Sequence, residues 1–200
     1  MACGAFDVGM ARARVARLSI AGELGFEINC PAVLHSTLRE TLLAAGEDLG
    51  LAEIGFYALN ALRLEKSFGI WSREFTQAYT PGQTGLDRFI AFSKRDFIGR
   101  DAALKERDAG VSRRIATLEI DAVDADASGF EPVWQKGRRV GFVTSGGYGY
   151  TVGKSVALAL LDGDFAGEGT NLSVHIVGVE RPARVIPASP FDPEGRVMRQ

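Results

Sequence analysis

GRRVGFVTSGGYGYTVGKSVALALL, residues 137–161, decides the fold, because its centre has two incompatible readings. Residues 144–155, TSGGYGYTVGKS, are glycine-rich, follow an apolar run and end in Gly-Lys-Ser, as a phosphate-binding loop does. Such a loop needs four residues between its first glycine and the Gly-Lys-Ser, the length that wraps backbone N–H groups around phosphates. The required position holds Tyr148; Gly147 is one residue too early and Gly149 one too late. The loop also needs a helix behind it, with its N-terminus facing the phosphate. SVALALL, which follows, sits among strand-like neighbours. The spacing therefore predicts a glycine-rich turn between two strands and excludes a nucleotide enzyme of this type.

Outward from that hairpin, the pattern after Gly110 has a period of two. RRIATLEID, EPVWQ, RRVGFVTSG, KSVALALLDG, NLSVHIVG and PARVIPA are six candidate strands separated by Gly, Asp and Asn turns. Their number and spacing predict a small barrel or sandwich. DAVDADASG, residues 121–129, reads as an exposed loop. Its aspartates lack the spacing and closing glutamate of a calcium loop, so no metal site is expected.

Before Gly110 strands and helices mix. Residues 14–20 and 26–30 are expected strands around a turn at 21–25. Pro31 opens a helix whose buried stripe is read as Val33, Leu34, Thr37, Leu38, Thr41, Leu42 and Ala45, ending at Gly46. A second helix is expected over 53–66 and a third over 99–109. The second is expected to be buried on most of its circumference, so Arg63 and Glu65 need partners. The expected fold class is α+β, with a domain over 1–110 and an all-β domain, barrel or sandwich, over 111–200.

Composition bounds the chemistry. The chain has 200 residues, 46% of them hydrophobic, and a formal net charge of -2, as expected of a soluble globular chain without a general attraction for nucleic acid. No run reaches the apolar length of a membrane span, and the N-terminus lacks an apolar signal core. Two cysteines and two histidines support neither a disulfide scaffold nor a four-ligand zinc site, and a reducing, cytoplasmic-type compartment is the default expectation. His35 and His175 stand in ordinary contexts, and no dinucleotide fingerprint follows a first strand.

Two stretches remain for ligand chemistry. In GELGFE, residues 22–27, Glu27 is either a solvent-facing carboxylate or an acceptor for a ligand rich in N–H groups. In LRLEKSFGIW, residues 62–71, Arg63 offers a planar guanidinium and Trp71 a stacking face. The competing reading is an Arg63–Glu ion pair beside a core tryptophan.

Taken together, AGELGFEI, ALNALRLEKSFGIW, TPGQTGLDRFI, DFIGRDAAL, GRRVGFVTSGGYGYTVGKSVALALL and PARVIPASPFDP occur in order along the chain. They resemble the tetrahydrofolate-dependent aminomethyltransferase family, the T-protein of the glycine cleavage system, and the last leans toward relatives fused to dimethylglycine and sarcosine dehydrogenases. The resemblance implies a folate-binding module for one-carbon (methylene) transfer to tetrahydrofolate, the C-terminal part of a folate domain followed by a β-barrel. It implies cofactor-binding roles for Glu27 (pterin), Arg63 and Trp71, and no catalytic residue within this chain. The implied partners are folate and a small amine-derived one-carbon donor, with a separate chain supplying an N-terminal half or a flavin domain. Ile20-Ala21 departs from the aromatic pair that usually precedes GELGF. That departure keeps open a rival from another class, a non-catalytic interaction module that has lost folate.

Overall fold

The computed structural model describes residues 2–200. The chain divides into two compact units, residues 1–62 with 194–200, and residues 63–193.

The first unit opens with an antiparallel hairpin, β1 (Cys3–Val8) and β2 (Ala11–Ala16). Val8 faces Ala11, so the turn is Gly9-Met10, and Gly9 sits at φ +59°, which only glycine enters freely. On β2, Ala11 and Ala13 are buried while Arg12 and Arg14 are exposed. The strand therefore ends four residues before the expected 14–20 stretch does. β1 was not expected at all, because CGAFDV carries no clear apolar alternation. β3 (Glu27–Asn29) pairs with β2, Glu27 opposite Ala16. Between them Ser19 Oγ accepts from Gly22 N at 3.0 Å, and a Cβ on Gly25 would stand 2.7 Å from the Leu18 carbonyl oxygen. Close packing of the chain on itself explains the second glycine of GELG.

After Pro31 a single 3-10 turn leads into α1 (His35–Gly46). Its buried face is narrower than the apolar pattern predicts: Leu38 is buried, whereas Val33, Leu42 and Ala45 are exposed. α2 (Phe56–Glu65) spans the boundary between the units and is not buried on most of its circumference: Phe56 and Tyr57 are exposed, and burial begins at Ala61.

In the second unit the motifs are largely helix punctuation. TPGQTG builds the short α3 (Pro81–Thr84). Thr80 Oγ1 accepts from Gln83 N at 3.3 Å and Gln83 Oε1 accepts from Thr80 N at 3.2 Å, a capping box with proline at the first helical position. DFIGR precedes α4 (Arg100–Ala109), starting from Gly99 in the left-handed region at φ +88°.

The six strands expected after Gly110 all form: β4 (Arg113–Ile120), β5 (Pro132–Gln135), β6 (Arg138–Gly149), β7 (Lys154–Asp162), β8 (Asn171–Ile176) and β9 (Val179–Ile186). They close into an antiparallel barrel, β4-β7-β6-β5-β8-β9, with β9 returning to β4. The α+β class with a C-terminal barrel is what the structure has. The interior is filled by Leu118, Ile120, Val133, Val140, Val143, Leu161, Leu172, Val174, Ile176 and Val185, with alanines between them. Closure leaves no free sheet edge. The 121–129 segment is a loop: Asp124 pairs with Arg181 at 2.7 Å, and hydrogen bonding to that guanidinium holds the Asp124 carboxyl below its usual range.

The glycine-rich stretch is a β-hairpin, β6 running through Gly149 and β7 resuming at Lys154. One glycine of β6 yields a sharp expectation. A Cβ on Gly141 would lie 2.2 Å from the Leu160 carbonyl oxygen and 2.9 Å from Leu161 Cα, both backbone atoms of the paired strand. Gly141→Ala should therefore cost about 2–3 kcal/mol by overpacking, read by urea unfolding. Gly167→Ala, whose nearest neighbour would be 3.8 Å away, should leave the midpoint nearly unmoved; equal effects of the two would refute this account.

Candidate functional site

The LRLEKS stretch, residues 62–67, carries the end of α2 into the second unit. Each of its polar side chains is spent on the surrounding chain. Arg63 is 1% exposed and Glu74 0% exposed; their side chains meet at 3.5 Å, and Arg63 Nη1 donates to the Phe68 carbonyl at 3.0 Å. Burial is the main influence on Arg63 and lowers its pKa; Glu74 acts in the opposite sense. Glu65 accepts from the backbone amides of Thr151 and Val152 at 2.6 and 2.9 Å. Lys66 Nζ donates to the carbonyls of Phe191 and Asp192. Ser67 Oγ accepts from Thr117 Oγ1 and from Ser189 N, both at 2.8 Å. A buried charge is costly unless paired or hydrogen-bonded: Arg63 and Lys66 pair with the carboxylates of Glu74 and Asp192, and Glu65 is held by two backbone amides.

Glu74 is the hub. Its Oε2 accepts from Ile70 N at 2.9 Å, and its Oε1 accepts from the hydroxyls of Thr144 and Ser145. Consecutive strand residues normally point to opposite faces. Here the pairing of β6 with β7 slips between Val143 and Ser145, and the bulge brings two neighbouring hydroxyls to one carboxylate.

The glycine-rich hairpin has a related answer. The amides of Thr151 and Val152 resemble an anion cradle, and the anion is the chain's own Glu65. A Cβ on Gly149 would lie 3.0 Å from Glu65 Cγ, so glycine there gives the carboxylate room.

The three residues singled out for ligand binding differ in state. Glu27 belongs to the first unit; it is exposed and its Oε1 accepts from Asn29 Nδ2 at 2.8 Å. Arg63 and Trp71 belong to the second unit. Arg63 is buried against Glu74, whereas Trp71 is 82% exposed and bridges to Phe75 across a tight turn. Tryptophan in the core, one part of the competing reading, is not what forms; an Arg63–Glu pair does. Glu74 itself was missed. Nothing in the local pattern of WSREF separates a buried carboxylate from a solvated one, and of its partners only Ile70 is local: Arg63, Thr144 and Ser145 lie 11, 70 and 71 positions away.

As a test of fit to a folate, the exposed Glu27 carboxylate presents acceptor oxygens suited to an N–H-rich ring edge, and Trp71 presents an open face. The Arg63 guanidinium faces inward. Among the described residues no group of three or more His, Cys, Asp or Glu side chains is arranged to hold a metal ion, and none of the described helices is long and apolar enough to cross a membrane.

Two family models match the chain in succession: the GCVT N-terminal domain over residues 1–94 and the glycine cleavage T-protein C-terminal barrel domain over 113–192. Dimethylglycine dehydrogenase, mitochondrial, of Mus musculus is 38% identical over 171 residues, 85% of this chain and 20% of that protein. An aminomethyltransferase of Caldanaerobacter subterraneus subsp. tengcongensis is 36% identical over 162 residues, 81% of this chain and 43% of that protein. The crystal structure of the glycine cleavage system aminomethyltransferase T from Bartonella henselae superposes with a TM-score of 0.81 at 26% identity, covering 90% of this chain and 50% of that one. The chain thus spans half or less of the length of these relatives.

Proposed function

The chain belongs to the glycine cleavage T-protein family, and from that premise we propose that it is a folate-binding, aminomethyltransferase-type module for methylene transfer to tetrahydrofolate. The observation that carries the reading is the succession of the two family domains along one chain. Glu27 is proposed as the acceptor for the pterin edge and Trp71 as a stacking face. Arg63 acts through the turn it anchors, since its guanidinium is committed to Glu74 and Phe68. The chain's own residues bind and orient folate; tetrahydrofolate supplies the nucleophilic nitrogens when bound. The one-carbon donor is a small amine-derived group.

The proposed partner is a polypeptide carrying the rest of the folate domain or a flavin domain, on this chain or a separate one. Phe6, Leu18, Ile20, Leu24 and Phe26, all in the first unit, are exposed apolar side chains, and a surface of that kind suits burial against protein. A reducing, cytoplasmic-type compartment suits the two cysteines, both free thiols. The domain division we propose is 1–110 and 111–200, a cut that falls between the two matched family domains, 1–94 and 113–192.

The test is calorimetric titration of the full chain with 5-formyltetrahydrofolate, beside Glu27→Ala. Glu27 is exposed, with Asn29 as its side-chain partner, so the variant should fold. Loss of a charged hydrogen bond should weaken binding about 10- to 100-fold. A second reading, an interaction module without folate chemistry, is favoured by Ile20, an exposed aliphatic where the family usually has an aromatic. A folded parent that fails to bind folate would establish that reading over the first.

A further inference from the structure

We propose that Glu74 is a positioning residue that holds Trp71 out as a stacking platform, an inference that rests on the folate reading above. Trp71 is a large apolar side chain left 82% exposed, and the turn that bears it is tightly constrained. Ile70 N donates to Glu74 Oε2 at 2.9 Å, and Phe75 N donates to the Ile70 carbonyl at 3.2 Å, closing the turn on both sides of Trp71. Ser72, the next residue, sits at φ +74°, a conformation that a residue with a side chain keeps only when its surroundings enforce it. Gly69 leaves no slack: a Cβ there would lie 2.6 Å from Phe75 Cζ and 2.9 Å from Glu74 Cβ.

The other oxygen of the same carboxylate is fastened to the barrel by Thr144 and Ser145, while Arg63 of α2 pairs with the oxygen that Ile70 N reaches. One buried group therefore ties the turn bearing Trp71 to the bulge of β6. A ligand stacking on Trp71 then does not have to order the turn that bears it. Packing alone would not require a fully buried carboxylate to be shared between the Ile70 amide and two barrel hydroxyls. That division of hydrogen bonds between the two elements is what assigns Glu74 the positioning role.

The experiment uses the full chain with Trp134→Phe, leaving Trp71 as the sole tryptophan of the two. Trp134 Nε1 makes no hydrogen bond among the described residues, so that change removes none. Time-resolved anisotropy of the indole is measured with and without 5-formyltetrahydrofolate, for the parent, Glu74→Gln and Gly69→Ala. The expected result is an indole that reorients over a narrower range in the parent than in either variant, while cooperative unfolding persists, with a folate dissociation constant raised about tenfold or more in the variants. If Glu74→Gln does not fold, Gly69→Ala decides, since it displaces the turn and leaves every partner of the carboxylate in the sequence. Folded variants that keep both the parent's anisotropy and its affinity would overturn the proposal. A parent that binds no folate, with an indole still freed by Glu74→Gln, would overturn the folate reading and leave the hold of Glu74 on Trp71 standing.

Discussion

Glu74→Ala should be the most damaging single truncation in the second unit, destabilising it by about 4–5 kcal/mol. The substitution strands the Arg63 guanidinium, 1% exposed, without its carboxylate. It also removes the acceptor of Ile70 N and of the Thr144 and Ser145 hydroxyls. Arg63→Met should cost less, about 3 kcal/mol, because the carboxylate it leaves behind still accepts from those three donors. Arg63→Met combined with Glu74→Leu should cost less than the sum of the singles, since neither charge is then buried alone. Urea unfolding of the three variants checks the order. Equal penalties for the two single changes, or strict additivity in the double, would mean that the buried pair is not the source of the effect.

Glu65→Ala is the second large effect expected, about 2–4 kcal/mol, because two backbone amides in the β6–β7 turn lose their acceptor. Glu65→Gln keeps an acceptor oxygen in place and should cost about 1 kcal/mol, the loss of charge assistance alone. Hydrogen exchange supplies the local readout: protection at Thr151 and Val152 should fall sharply in the alanine variant and largely survive in the glutamine one. Glutamine as harmful as alanine would show that the charge, not the hydrogen-bond geometry, holds the turn.

The barrel strands were readable because RRIATLEI and NLSVHI alternate every two residues and VALALL is a short continuous apolar run, each bounded by turn residues. The ends of α1 and α4 were readable from Gly46 and Gly110; α3 was not read as a helix, although Thr80, Gln83, Pro81 and Gly85 cap it within one short segment. β1 was not readable, since Gly4 and the exposed Phe6 blur its alternation. The stripe of α1 was read too wide because periodicity reports which residues could be buried on a face, not how much of that face is covered.

The candidate site divides along the same line. That Arg63 and Glu65 need partners follows from two charges on a mostly apolar helix. Who the partners are does not: Glu74 is 11 residues beyond Arg63, and Thr151 lies 86 beyond Glu65. The Gly-Lys-Ser loop could be dismissed by counting residues, yet its true role, a hairpin whose amides close on an internal carboxylate, required the two segments in place.

Residue order alone therefore declares the α+β class, the six strands of the second half, the ends of α1 and α4 and the kinship carried by GELGFE, LRLEK and TSGGYG, because each depends on short-range periodicity or on backbone preferences of single residues. Folding alone decides which charges are buried, that Glu74 joins a turn to a strand bulge, and that Trp71 stands in solvent while Arg63 does not. These outcomes depend on desolvation and on hydrogen bonds between distant segments, and no local pattern encodes the distance between residues the chain brings together only at the end.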